Sequence, residues 1–238
     1  MNNFFIIGGG LTGLSCAFKL IQLEINPSNI FISEARQEIG SPSRSPGIGI
    51  NSDNFKKIIE TIKIQHLAKL NFKNNYVTFR REWFEKSILI YLTNLGCNIN
   101  LKKRINNNTL KNLNETIIIN CAGKKPKGSG FPADFKDFKD FKDIISNNED
   151  FKLIPWYGFL SINSNINNNN NTISIKKEED FFETWSSEKN YVDFENENII
   201  ELMNSYFPSN IENIFANKTI DRGFSLANKA VKKQRQKQ

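Results

Sequence analysis

Histidine is all but missing from this chain: His66 is the one imidazole in 238 residues. That excludes a multi-histidine metal centre and leaves a Ser-His-Asp triad without support. His66 lies in "IKIQHLAKL", which reads as a helix, so a structural or surface role is assigned to it. Cysteine is scarce too. Cys16, Cys97 and Cys121 are far apart and odd in number. They form no disulfide framework and no metal cluster, and no metal site is predicted. All three sit in apolar surroundings, where a free thiol behaves as a small buried hydrophobe. Such usage fits a reducing compartment, and a cytoplasmic location is expected. Long apolar runs are also lacking. The run "FFII" has no basic stretch before it and breaks at Gly8, so it reads as neither a signal peptide nor a membrane span. At most a peripheral membrane contact is expected.

The residues present are those of a folded protein. The chain is 39% hydrophobic and long enough for one large domain or two small ones. Its net charge of +7 suits an anionic partner but does not choose among a nucleotide, an acidic substrate, a membrane surface and a nucleic acid. Basic and aromatic residues are not interleaved on any recognisable nucleic-acid module, so nucleic acid is not expected as a partner.

"NNFFIIG" reads as a buried strand, apolar without alternation and ended by glycine. Leu11 to Leu23 reads as a helix, with Leu14, Ala17, Phe18 and Ile21 on one face. After the turn "NPSN", "IFIS" is a second strand ending at Glu34. This is the length and order of a βαβ unit, which builds a parallel sheet. A loop follows in "EIGSPSRSPGIGI". A helix is predicted over "SDNFKKIIETI", capped by Ser52 or Asp53. "YVTF" reads as a strand. "REWFEKSILIYLTNLG" is the clearest helix, with Phe84, Ile88, Tyr91 and Leu95 as its stripe and Gly96 just past its end. "CNINL" and "ETIIINCAG" read as strands. Beyond Gly123 the texture changes. "KKPKGSG" is a basic linker. "DFKDFKDFKD" has a period of three and is compatible with a short amphipathic helix or an ordered loop. The asparagine tract in "INSNINNNNN" reads as a hairpin loop or a disordered insert. "WYGFLSI" and "TISIKK" predict a small antiparallel sheet. "ENIIELMNSYF" is read as a late helix, and "KAVKKQRQKQ" as a basic, solvated helix end.

The first glycines carry the chemistry. Gly8, Gly10 and Gly13 form G-x-G-x-x-G after a strand and at the opening of a helix. Gly8 permits the tight turn, Gly10 lets the backbone approach a pyrophosphate, and Gly13 allows close packing of helix on strand. The amides near Leu11 and Thr12 would face the phosphates, with the positive end of the helix dipole behind them. Glu34 closes the second strand about 20 residues beyond Gly13, where a carboxylate accepts hydrogen bonds from a ribose diol and repels a 2′-phosphate. These features predict dinucleotide binding. A turn that keeps the pattern without binding is the alternative.

"FIIGGGLTGLSCAFKL…IFISEAR" resembles the FAD-binding N-terminus of the glutathione-reductase-like flavoproteins. "FRREWFEKSILIYLTNLGCNI" resembles the Arg-led helix of the aromatic hydroxylase and geranylgeranyl reductase group within that superfamily, with Arg81, Phe84, Ile88 and Gly96 on the pattern. "TIIINCAG" is similar to the group's second FAD strand. The resemblance covers about the first 125 residues. It implies FAD as cofactor, with Gly8, Gly10, Leu11, Thr12 and Gly13 on the pyrophosphate, Glu34 on the adenosine ribose and Arg36 beside it. It places Arg81 at the ribityl or phosphate region, and Ala122 and Gly123 close to the cofactor. It also implies part of an active site in the loop Gly40 to Gly49, where Arg44 lies.

The chain departs from the group in one motif. A late Gly-Asp is absent, and "TIDRGFSLANKAV" offers Asp221 and Gly223 in altered form. The expected fold class is α/β: a Rossmann-like FAD-binding domain with a parallel sheet over residues 1–125, rejoined by 206–238, plus a small antiparallel-sheet substrate lobe over 126–205. The expected function is an FAD-dependent oxidoreductase. It would pass hydride or electrons between a donor such as NAD(P)H and a small-molecule or lipid substrate, an isoprenoid among the candidates. The alternative is a non-catalytic or degenerate protein that binds NAD or FAD. No side chain can be named as catalytic.

Overall fold

A computed structural model describes residues 3–40, 45–63, 68–105, 107–111, 113, 116–122, 144–146, 152–162, 171–178, 180–189 and 198–237. Strand β1 (Asn3–Ile7) feeds the glycine turn and helix α1 (Leu11–Gln22), and β2 (Ile30–Ser33) returns parallel to β1. The "NPSN" turn is closed by the Asn26 side chain, which accepts from the Ser28 amide at 3.0 Å. Three more strands complete the parallel sheet: β6 (Asn98–Asn100) outside β2, β7 (Thr116–Asn120) on the other side of β1, and β8 (Ile145–Ser146) outside β7. The order is β6-β2-β1-β7-β8. Short β8 comes from within the 126–205 stretch.

The unalternating runs are explained by burial on both faces of this sheet. Phe4 and Ile6 of β1, with Ile117 and Ile119 of β7, enter the main core. Phe5, Ile7 and Ile118 face the other way and pack with Ile105 and Leu110, the latter on the short helix α4 (Asn107–Lys111). The main core is roofed by α1, α2 (Asp53–Ile62), α3 (Arg81–Asn94) and α5 (Ala216–Lys237). Ser52 caps α2, its hydroxyl accepting from the Phe55 amide. Phe84 and Ile88 of α3 are fully buried, whereas Leu95 is 42% exposed because α3 ends before it.

Two antiparallel sheets lie beside this core. β3 (Ile48–Ile50), β4 (Asn71–Lys73) and β5 (Tyr76–Thr78) form a three-stranded sheet with β5 central. β9 (Leu153–Ile162), β10 (Thr172–Glu178), β11 (Phe181–Ser186) and β12 (Ile199–Pro208) form a four-stranded sheet in the order β10-β11-β9-β12. Trp156, Ile173, Ile175 and Trp185 on the inner face of the larger sheet pack with Ile48, Ile214 and Phe215 into a second core.

The predicted late helix over "ENIIELMNSYF" is instead strand β12. The four-residue spacing of Ile199, Met203 and Phe207 fits a helix, but alternation fits too: Met203 and Phe207 pack toward the second core while Leu202 and Tyr206 are exposed. Pairing with β9 along the strand's length decides between the two patterns. The α/β architecture, with its Rossmann-type parallel sheet and antiparallel-sheet lobe, is as the sequence predicts. His66, Arg44, Gly123, the Asp-Phe-Lys repeats and most of the asparagine tract lie outside the described residues. No helix among the described residues is long and apolar enough to cross a membrane.

Candidate functional site

The glycine turn is held from three sides. The Gly8 amide donates to the Ser33 carbonyl at 2.8 Å, at the end of β2, and the Cys121 amide donates to Ile7 at 2.9 Å, at the end of β7. Gly8 has φ +100°, and a Cβ there would stand 2.9 Å from the backbone of Ala122. A Cβ on Gly13 would run into the Gly8 carbonyl, so α1 sits hard against the turn. Gly10, the residue that caps α1, differs from both: nothing lies within 4 Å of the place its Cβ would occupy. The helix's first backbone bond is from the Leu14 amide to the Gly10 carbonyl at 3.0 Å. The amides of Leu11, Thr12 and Gly13 precede it and have no partner within the helix. An open approach in front of Gly10, lined by amides at the positive end of a helix, has the geometry to accept an anion such as a phosphate.

Glu34 borders the cradle. Its carboxylate accepts from the Gly9 amide at 2.8 Å through Oε2, and from the Arg36 amide at 2.9 Å and Arg36 Nε at 3.1 Å through Oε1. The backbone of Glu34 is pinned by β6 and its following loop, through Asn100 and Lys103. Burial alone would raise the Glu34 carboxyl. The Arg36 side chain, the Arg36 amide and charge, and the Gly9 amide together outweigh burial and hold it below its ordinary value. Glu34 is therefore an anion at neutral pH, with a lone pair left on Oε2 for a further donor.

Cys16, at the base of the turn beside Cys121, is unsuited to thiolate chemistry. Burial pushes the Cys16 thiol well above its ordinary value, and a hydrogen bond with Cys121 pushes it further. Ala122 follows Cys121, and its amide donates to the Asn120 side chain at 3.1 Å. Leu11 is a core residue by its side chain, so its contribution to the turn is its backbone.

Arg81 occupies a second place. It opens α3, is 7% exposed, and donates from Nε to Glu85 Oε1 at 2.7 Å and from one terminal nitrogen to the Pro46 carbonyl at 3.2 Å. There it lines a cavity of about 450 Å³ that also touches Gly47, Phe79 and the inner face of the four-stranded sheet. The sheet contributes apolar Leu160, Phe181 and Met203 together with the charged pair Lys177 and Glu183. Glu183 is 2% exposed, and every part of its carboxylate is engaged. Oε1 accepts from the Gly47 amide at 2.9 Å and from Trp185 Nε1 at 2.7 Å, while Oε2 pairs with Lys177. Gly47 has no room for a side chain, because a Cβ would meet the Phe79 carbonyl and, at 2.6 Å, Lys177 Nζ.

The turn, Glu34, Arg36 and Ala122 thus converge at one end of the parallel sheet, and Arg81 lies at the cavity. The segment carrying Asp221 and Gly223 is helical. Asp221 accepts from Asn54 of α2 at 2.7 Å, and Gly223 abuts α1 at Thr12 and Cys16. Sequence reasoning missed Gly47, Lys177 and Glu183. One signal was available: in "FFETWS" the alternation that puts Trp185 inside also puts Glu183 inside, and a charge on a core-facing register needs partners.

No protein-family model matches the chain, and no curated protein sequence does. Solved structures do match it. A geranylgeranyl bacteriochlorophyll reductase-like protein from Thermoplasma acidophilum superposes with a TM-score of 0.60 at 14% identity, over 98% of this chain and 79% of its own. A flavoprotein/dehydrogenase from Cytophaga hutchinsonii gives 0.59 at 11%, over 98% and 78%. An aromatic hydroxylase from angucycline biosynthesis gives 0.53 at 7%, over 97% and 62%. At these identities the shared feature is the fold.

Proposed function

We propose that the protein is an FAD-dependent oxidoreductase. The observation that carries this reading is the open approach at Gly10, set between two glycines that are packed shut and facing the first amides of α1. The backbone from Gly8 to Gly13 would hold the pyrophosphate, with Leu11 and Thr12 contributing amides. Glu34 would accept from the ribose hydroxyls, with Arg36 fixing its orientation. Ala122 would pack beside the cofactor. A bound flavin supplies hydride and electron transfer, and the protein supplies orientation and exclusion of water. The cavity bordered by Arg81 and Gly47 is where a small-molecule or lipid substrate would sit. The described neighbours, by their own names a reductase-like protein, a flavoprotein/dehydrogenase and an aromatic hydroxylase, support oxidoreductase chemistry on this fold.

A second reading is favoured by Asp221. It is engaged by Asn54 within a helix, so the late Gly-Asp that completes a flavin site in the resembling group has no counterpart at this position. The chain would then be a dinucleotide binder without catalysis. The visible spectrum of the purified protein, with and without added FAD and then NAD(P)H, separates the two. A flavin spectrum bleached by the donor and restored by an acceptor supports the oxidoreductase. Flavin that binds but is never reduced supports the second reading. A colourless protein that takes up no FAD overturns the flavin assignment. Gly10→Val should abolish uptake while leaving the fold intact, because its side chain fills the phosphate approach.

A further inference from the structure

We propose that Lys177 selects the substrate of the cavity, and that the class selected is an apolar molecule bearing an oxyanion such as a carboxylate, enolate or phenolate. The inference rests on reading the cavity as the substrate site. It goes further because the cavity's inner wall is polarised in one sense. Phe79, Leu160, Phe181 and Met203 supply an apolar lining. Against it stand the exposed Lys69 and Arg80 and two enclosed cationic groups flanking the Pro46–Gly47 backbone, Lys177 from the sheet and Arg81 from α3. Each of the enclosed two has its own carboxylate fixed beside it: Glu183 for Lys177 and Glu85 for Arg81.

The acceptors are spent where the donors are not. Glu183 receives the Gly47 amide and the Trp185 indole on one oxygen and Lys177 on the other. A carboxylate so enclosed has little capacity to bind a ligand. An ammonium carries three N–H groups, and one carboxylate oxygen uses only part of that capacity. Lys177 therefore presents donors to the cavity from a fixed position, since Glu183 is itself held by a backbone amide and a buried indole. Charge-assisted hydrogen bonds in such low-dielectric surroundings are worth more than neutral ones. The opposing consideration is the rim, where Glu82 and Glu201 also line the cavity and would favour a cation. Both are less enclosed than Lys177's partner, so solvent weakens their pull.

The test uses three probes with one shape and three heads: 4-phenylbutyrate, 4-phenylbutanol and 4-phenylbutylamine. Binding to the full chain is read from tryptophan fluorescence, to which Trp185 reports from behind the cavity wall through its bond to Glu183, with calorimetry as a second measure. Phenylbutyrate should bind roughly tenfold or more tightly than the alcohol or the amine, the scale of a charged hydrogen bond. Lys177→Met should remove that preference and leave the alcohol's affinity unchanged. Lys177→Arg should retain most of it. If Lys177→Met does not fold because it strands Glu183, the double variant Lys177→Met with Glu183→Gln removes the stranded charge and should show the same loss of preference. Tightest binding by the amine would assign selection to Glu82 and Glu201 and overturn the proposal. So would a carboxylate preference that survives in the variants, or the absence of binding by all three probes. Flavin content is read from visible absorbance on the same samples. A colourless protein that still prefers phenylbutyrate would sink the flavin reading alone, and a flavin-loaded protein without the preference would sink this one alone.

Discussion

Gly10 and Gly47 each lack a side chain for a different reason. At Gly10 the space in front is empty, and the turn around it is built mainly from backbone, the carbonyls and amides of β1, β2, β7 and α1, with the Glu34 carboxylate on the Gly9 amide. At Gly47 the space is full, taken by the Phe79 carbonyl and the Lys177 ammonium, and the surroundings are side chains from distant segments. A backbone cradle can hold a ligand part common to many molecules, such as a phosphate, because every residue carries the same amide. A wall of side chains holds whatever is particular to one ligand. On the proposed function, the molecule separates generic from specific recognition into two places, each organised around a glycine.

Substitutions can break this contrast. The largest effect is expected at Glu183. Glu183→Ala leaves Lys177, the Gly47 amide and the Trp185 indole without their common acceptor. It should cost about 3 kcal/mol in denaturant unfolding, the range for breaking one partner of a buried pair. A cost below about 1 kcal/mol would mean that water replaces the carboxylate and that the wall is not fixed. Next comes Gly13→Ala, whose methyl meets the Gly8 carbonyl. It should cost about 1–3 kcal/mol by overpacking, with FAD uptake falling in parallel.

Glu34→Gln is expected to have a smaller effect that depends on pH. The folded state holds the Glu34 carboxyl below its ordinary value, so the charge on Glu34 stabilises the fold above the unfolded pKa of about 4. That contribution is lost as pH falls through the lower folded value. The stability difference between wild type and Glu34→Gln should be constant at neutral pH and shrink below about pH 4. A difference that instead grew in acid would reverse the assignment. Gly10→Ala closes the series. Its methyl enters open space, so the unfolding free energy should change by no more than about 0.5 kcal/mol. Its affinity for FAD should nevertheless drop. A stable Gly10→Ala protein with unchanged FAD affinity would remove the distinction between the two glycines.

The cradle was legible in the sequence because it is local. Thirty-odd residues carry the strand, the turn, the helix and the terminal acid, and each leaves its own mark: an unalternating apolar run, spaced glycines, a helical stripe, Glu34. The cavity was not legible, because it draws on residues near 46, 80, 160, 180 and 203 that only the tertiary fold assembles. β12 shows why. "IIELMNSYF" satisfies both the period of a helix and the alternation of a strand, and pairing with β9 settles the matter. With β12 read as a helix, Met203 could not be placed opposite Gly158, and the wall of the cavity could not be drawn. Arg81 was noticed from its position before a helix. Its partners Glu85 and Pro46, and hence its address, come only from the structure.

The packing of α5 on α1 bears on how the chain reaches this state. Gly223 lies against Thr12 and Cys16, so the helix that opens at the cradle is completed by a segment made roughly 200 residues later, and such distant contacts slow folding. Until α5 is made, α1 rests on β1, β2 and α3 among the described elements, and Phe18 waits for Phe224, its stacking partner. The packing around the glycine turn therefore stays incomplete until α5 has been made. Nascent chains should be most vulnerable to proteases and aggregation until α5 is released.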